Sequence, residues 1–414
     1  MDRSFYEENR RALYTSLTPG SALVMFSGHA PRKTADEMYP FFADRSFVYF
    51  TGIEQENSVF LAVKDDFQVA ETIYLLPPDA HAERWTGARL KPEQAEEISG
   101  IHYFGNVDLF PEAMRRLAIS GDINTIYLDF DQLTADEPPR DALKLAHRIQ
   151  EAFPYLVIKD IHGRIRSLRS IKKPCEIEAM KKAQLITRDG ILAMMRASKP
   201  GMYEYQYKAE WDYTLAQHGV LSPAFPSIIS AGQNNFCIHY YAYRGQAMDG
   251  DMVLNDVGAI WNNECNDVSR GWPCNGKFND RQRALYECAY QTSEYMFGLL
   301  KPGITMRDVD RISHEYCAGL LTEIGVIDKP ENVRDVMWHG GAHHVGMDVH
   351  DVCDYAGVTK PGYVFCVDIG IYYEEWGIGF RLEDNCLITK DGCENLSSPT
   401  PRSIEDIEAF MGRR

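Results

Sequence analysis

Two stretches of this chain put carboxylates where a buried sheet would be expected. "MVLNDVGAIWNNECNDVSR", residues 252–270, opens as an apolar strand with Met252, Val253 and Leu254, then carries Asp256 and, eleven residues on, Asp267. The midpoint of the pair falls in "AIWNNEC", whose asparagines suit a tight turn. Whether the turn centres on Trp261–Asn262 or on Asn262–Asn263, hairpin parity is the same. Both aspartates then face one side, opposite or diagonal to each other. A second pair repeats the pattern: Asp368 in "YVFCVDIGIYY" and Glu383 in "GIGFRLEDNCLIT", fifteen residues apart about the turn-like "EEWG". Like charges so placed destabilise a sheet unless a cation sits between them. One such pair could be two solvated loop residues. Two pairs, each approached by an apolar run, argue for a cation site.

Between the hairpins lies "HGGAHHVGMDVHD" (339–351), which holds four of the chain's 12 histidines in a glycine-rich loop. One imidazole added to four carboxylates gives a mostly oxygen donor set. That suits two hard or borderline ions such as Mn2+ better than a closed structural zinc site. Two ions about 3.5–4 Å apart polarise a carbonyl and acidify a shared water, so the chemistry implied is hydrolysis.

Partner classes are narrowed by charge. A net charge of −17 argues against nucleic acid or an anionic membrane, each of which rewards a basic surface. The start, "MDRSFYEENRRALY", lacks the apolar stretch of a signal peptide, and no run approaches the roughly 18 apolar residues of a membrane span. The ten cysteines are scattered singly, which points to reduced thiols in a cytoplasmic protein.

A chain of 414 residues is long for one core and predicts two domains. Strand-like runs at 21–26, 47–52, 58–63, 72–77, 125–130 and 156–161 alternate with helix-like runs at 91–99, 110–119 and 140–153. This predicts an α/β domain over 1–161. The basic segment 162–174 reads as a linker. From Cys175 strand and helix blocks are grouped, with helices at 175–197, about 280–299 and 305–323, and one closed by Gly219. That grouping predicts an α+β domain over 175–414.

The order Asp, Asp, His, Glu/Asp, Glu on two hairpins resembles the creatinase/aminopeptidase P/prolidase family, whose catalytic domain is the pita-bread fold. "DVGAIWNNECNDVSR", "NGKFNDRQRALYE", "HGGAHHVGMDVHD", "RLED" and "LRSIKKPCEIEAMKKA" are similar to its motifs. "SALVMFSG", "FFADRSFVYFTGI" and "HAERWTGARL" resemble its creatinase-like N-terminal domain, which methionine aminopeptidases lack. The resemblance implies a metal-dependent exopeptidase that removes an N-terminal residue preceding proline. It implies two divalent ions, Mn2+ foremost with Co2+ or Zn2+ as alternatives, and a homodimer. The ligands it implies are Asp256, Asp267, His343, Asp368 and Glu383, with Asp267 and Glu383 bridging. It also implies His239 beside the substrate carbonyl, His350 steadying the tetrahedral intermediate and Arg381 supporting the site by ion pairing. Trp85 would be lent to a neighbouring subunit, and His339 and His344 would be supporting or structural. One position departs: Asp368, followed by Ile369 and Gly370, stands where the family has Glu, usually with Pro-Gly, as ligand and general base. Asp withdraws the carboxylate by about 1.5 Å. A dipeptidase cutting only Xaa-Pro dipeptides is the near alternative, and a metal-poor binding module is the alternative of another class. A metal-free, creatinase-like hydrolase fits less well, because four of the five ligand types are kept.

Overall fold

The computed structural model describes residues 1–354 and 356–413. The chain divides into two compact units, Met1–Leu168 and Arg169–Arg414.

In the first unit β1 (Ser21–Phe26), β2 (Val59–Lys64), β3 (Val69–Leu75), β4 (Phe104–Asn106), β5 (Thr125–Leu128) and β6 (Val157–Asp160) form one mixed sheet. The order is β4-β3-β2-β1-β5-β6. Helices pack their apolar stripes against it: Phe110, Met114 and Ala118 of one and Leu145, Ala146 and Ile149 of another join Ala22, Val24 and Ile126 in a single core. One expected strand is a helix. "FVYFTG" belongs to Arg45–Thr51, begun by Asp44, whose side chain accepts from the Phe47 N–H, and ended by Gly52 at φ 70°. Every residue of that helix is buried, so no polar face betrays the 3.6 period, and its aromatic and β-branched residues imitate a strand. Within the segment read as a linker, His162–Arg169 also form a helix.

The second unit holds the two hairpins. The first comprises β7 (Ile228–Ala231), β8 (Met252–Val257), β9 (Ile260–Trp261), β10 (Glu264–Cys265) and β11 (Val268–Pro273). Asn262 and Asn263 have φ of 49° and 68°, the left-handed pair of a type I′ turn, which matches strand twist. The turn therefore centres on Asn262–Asn263. With Ser269 opposite Asp256, Asp267 lies diagonal to Asp256 on the same face. The second hairpin comprises β12 (Val364–Tyr373) and β13 (Ile378–Ile388), extended by β14 (Cys393–Asn395). Asp368 lies directly opposite Glu383. Long helices, Pro174–Ala197, Glu204–Gln217, Asp280–Leu299 and Met306–Glu323, supply much of the core that covers the sheets, with Ile186, Trp211, Tyr286 and Ala318 among the residues buried with Val253, Trp272 and Phe380.

Gly258 lets the arms of the first hairpin close. A Cβ there would lie 1.7 Å from the Asn266 carbonyl oxygen. Gly258→Ala should force the arms apart beside both aspartates and cost at least the ~1–3 kcal/mol of an overpacked core. Urea titration reads the effect; an unchanged midpoint would show that the close approach does not constrain the hairpin.

Candidate metal centre

The two hairpins are locked together through their backbones before any carboxylate is counted. Asn385 on β13 accepts from the Asp267 N–H at 3.1 Å and donates to the Asp267 carbonyl at 2.8 Å, and its side-chain oxygen also accepts from Asn266. On the opposite face, Arg270 meets Asp384 at 2.7 Å with both side chains fully buried, and donates to the Glu383 carbonyl at 2.8 Å. Burial alone would raise the Asp384 carboxyl, but Arg270 and Arg402 outweigh it and hold the group below its ordinary value.

This clamp brings four of the five expected ligand residues into two groups that share Glu383, and Asp368 is in neither. Among the described residues, oxygens of Asp256, Asp267 and Glu383 lie within 4.8 Å of one another, and so do donor atoms of His343, Cys366 and Glu383. His343 Nε2 is 3.4 Å from Asp267 Oδ2 and from Glu383 Oε1. Asp267, Asp368 and Glu383 are buried. Asp256 Oδ1, Asp267 Oδ1, Asp368 Oδ1 and Glu383 Oε1 are all shielded from water and have no hydrogen-bond partner. Buried oxygens are almost always satisfied, so orphaned oxygens on Asp256, Asp267 and Glu383, whose carboxylates gather within 4.8 Å, fit a cation. Burial first, then Glu383 and Asp256, pushes the Asp267 carboxyl well above its ordinary range. Burial likewise raises Asp256, against the pull of Arg381.

The remaining expected residues lie round this space. Arg381 pairs with Asp256 at 2.9 Å. It also donates to the Tyr372 hydroxyl and to the carbonyl of Ile238, the residue before His239. His239 is exposed and lies roughly parallel to the Tyr241 ring. The His350 ring is 4.2 Å from that of His343; burial, then His343, lowers its pKa and keeps it neutral. The two remaining histidines separate in role. His339 Nδ1 is 3.1 Å from Asp368 Oδ2 and its Nε2 is 3.1 Å from the Tyr372 hydroxyl. Burial opposes its charge, but Asp368 prevails and lifts it to about 9. Gly370 makes the space, since a Cβ there would stand 2.2 Å from His339 Nε2. His344 is buried against Tyr363 and Phe365; burial, then Lys172, lowers it to about 4, and it stays neutral.

Sequence reasoning missed Tyr372, Ser269 and Asn385. Ser269 donates to Glu383 Oε2 at 2.8 Å. Tyr372 completes a chain Asp256–Arg381–Tyr372–His339–Asp368 that ties the first carboxylate to the third. Period two could have flagged Tyr372, which shares a strand face with Asp368. The "RSIKK" run also gains a role. Arg169 donates to Asp348 and Asp351, and Lys172 Nζ donates to Asp351 Oδ2 at 2.6 Å. The Asp351 N–H in turn reaches the His344 carbonyl at 2.9 Å. A buried ion cluster thus pins the loop that carries His343 and His350. Trp85 stands on the short helix Glu83–Thr86, 80% exposed.

The profile of metallopeptidase family M24 matches residues 178–390, and that of the aminopeptidase P N-terminal domain matches residues 6–127. The chain is 29% identical to the Xaa-Pro aminopeptidase of Haemophilus influenzae, over 98% of this chain and 96% of that one. A Bacillus anthracis structure provisionally named an aminopeptidase P superposes with a TM-score of 0.98 at 33% identity, covering 100% of this chain and 99% of that one. Aminopeptidase P from Escherichia coli, solved with the inhibitor Pro-Leu, superposes with a TM-score of 0.92 at 27% identity, with the same coverage.

Lys172→Met should destabilise the protein by about 3–5 kcal/mol, the usual effect of stripping a partner from a buried pair. A loss below about 1 kcal/mol in chemical denaturation would show that Arg169 alone suffices for Asp351. The metal-free protein should also respond to pH in a defined direction. Asp256 and Asp267 hold protons more tightly folded than unfolded. The folded state therefore binds more protons, and stability falls as pH rises beyond their ordinary value of 3.8. Bound divalent ions take over from those protons. Urea midpoints across about pH 5–8 should fall with pH in chelator and flatten with Mn2+; equal slopes would refute the cation assignment.

Proposed function

The chain belongs to metallopeptidase family M24 and is an Xaa-Pro aminopeptidase-like, metal-dependent enzyme, and on that premise we propose that Asp256, Asp267, His343, Asp368 and Glu383 hold two divalent ions which serve to release an N-terminal residue preceding proline. The observation that carries this reading is the buried carboxylate oxygen without a hydrogen bond on each of Asp256, Asp267, Asp368 and Glu383. The mostly oxygen donor set supports Mn2+.

When bound, such ions polarise the scissile carbonyl and acidify the attacking water. The side chains supply the rest. Proline's nitrogen, like any amide nitrogen, leaves only after gaining a proton. The role of taking that proton from the water and passing it on falls to Asp368, whose Oδ1 makes no hydrogen bond while His339 holds Oδ2. His350, neutral beside His343, donates to the carbonyl oxygen as negative charge builds. Arg381 fixes Asp256 and, through the Ile238 carbonyl, the segment bearing His239, which lies against the substrate.

The surrounding properties follow the same reading. Among the described residues no helix is long and apolar enough to cross a membrane. The acidic surface and scattered cysteines support a cytoplasmic enzyme acting on peptides. Exposed Trp85 supports a homodimer in which it faces a neighbour.

The test is steady-state kinetics with saturating Mn2+ on an Xaa-Pro dipeptide and an Xaa-Pro-Yaa tripeptide. Faster cleavage of the tripeptide is expected; a preference for the dipeptide would make the enzyme a dipeptidase, and normal metal binding without hydrolysis would make it a binding module. Asp368→Glu should raise kcat with little change in KM, by up to the roughly 10²-fold that a well-placed base contributes. A fall in kcat would show that the packing of His339 against Gly370 has adapted to the shorter side chain.

A further inference from the structure

Two compact donor groups occupy the centre, and the carboxylate expected beside His343 is in neither. Among the described residues the groups are Asp256, Asp267 and Glu383, and His343, Cys366 and Glu383. Asp368 is drawn off towards His339. The second group holds a thiol, Cys366, and Glu383 is its only carboxylate.

Cys366 is fully buried on β12, two residues before Asp368 and opposite Asn385. Period two puts its side chain on the ligand face of the strand. It is fastened to His343 from both directions. The Cys366 N–H donates to the His343 carbonyl at 2.8 Å, and the His343 N–H donates to Cys366 Sγ at 3.2 Å. A backbone N–H aimed at sulfur is the kind of outer support that liganding atoms receive. The third member of the group keeps a free valence there: Glu383 Oε1, 3.4 Å from His343 Nε2, is buried and makes no hydrogen bond.

We propose that Cys366 Sγ is a metal ligand, which with His343 Nε2 and Glu383 Oε1 holds one of the two ions, and that this position takes a borderline-soft ion, Zn2+ or Co2+, rather than Mn2+. The proposal rests on the two-ion reading above and revises its ligand set: Cys366 takes the place given there to Asp368, which keeps only its role in proton transfer. Thiolate and imidazole together favour such ions, whereas the Asp256–Asp267–Glu383 position keeps oxygen donors only. On coordination the thiol proton passes to solvent, sulfur contributes the bonding pair, and no oxidation state changes. The charge that a longer carboxylate would bring is then supplied by the thiolate. Asp368 is left bound to His339, with one oxygen open for proton transfer.

X-ray absorption at the zinc edge of the full chain loaded with two equivalents of Zn2+ tests this. One sulfur per two zinc ions at ~2.3 Å is expected, beside nitrogen and oxygen at ~2.0–2.1 Å. In Cys366→Ser the sulfur contribution should vanish. One of the two ions should bind at least ~10-fold more weakly, since even lost supporting partners of ligands cost that much. Co2+-loaded protein should lose its sulfur-to-cobalt charge-transfer band in the same variant. Two bound zinc ions with only nitrogen and oxygen neighbours in the unaltered protein would overturn the proposal while leaving the two-ion reading intact, and this needs no variant to fold. Sulfur persisting in Cys366→Ser would overturn it as well. A chain that retains no ion at all would sink both readings.

Discussion

Carboxylates that each keep one oxygen without a hydrogen bond, taken out of water and set side by side, are the constraint on which the second unit is organised. Asp256, Asp267, Asp368 and Glu383 each keep a buried oxygen that makes no hydrogen bond. In a low-dielectric interior their repulsion and lost hydration would together disrupt an ordinary sheet. The fold tolerates them because the scaffold is rigid on every side of the space they face. A purely apolar core of the same shape would be more stable and would bind nothing.

That rigidity comes from polar groups that are fully satisfied. On the outer face the fully buried Arg270–Asp384 pair couples the hairpins, and Arg270 holds the backbone at Glu383 as well. On the inner face Asn385 holds Asp267 by its backbone, leaving the Asp267 side chain uncommitted. The chain from Asp256 through Arg381, Tyr372 and His339 to Asp368 orients two carboxylates by one oxygen each and leaves the other oxygen open. The centre therefore divides its labour: bonds to nitrogen donors set position, and one oxygen of each carboxylate stays free of hydrogen bonds. The His343–His350 loop follows the same rule at longer range, pinned by Arg169 and Lys172 through Asp351.

Much of this was legible in the chain, for identifiable reasons. Hairpin parity survives uncertainty about the turn, so the shared face of Asp256 and Asp267 could be read before Asn262–Asn263 was known to be the turn. The helices Asp280–Leu299 and Met306–Glu323 carry enough polar surface to show their period. Arg45–Thr51 does not, because it is buried on all sides, and its Phe, Val and Tyr residues imitate a strand. Tyr372 and Asn385 carried no motif of their own; their importance comes from partners on other strands, more than a hundred residues away in the case of Asn385 and Asp267.

The amino-acid sequence by itself determined which residues could meet. Alternation along a strand sends side chains to fixed faces, and glycine at 258 and 370 is required wherever another group must approach within contact distance. Only the tertiary structure decided which of those residues do meet, and in what company. Whether Asp368 turns to His343 or to His339, and whether Cys366 is a filler or a neighbour of His343 and Glu383, depends on how β12 docks against the loop at 339–344. No local pattern records that distance. It is set by the packing of two hairpins and four helices at once, where shifts of an ångström separate a donor in reach from one that is not.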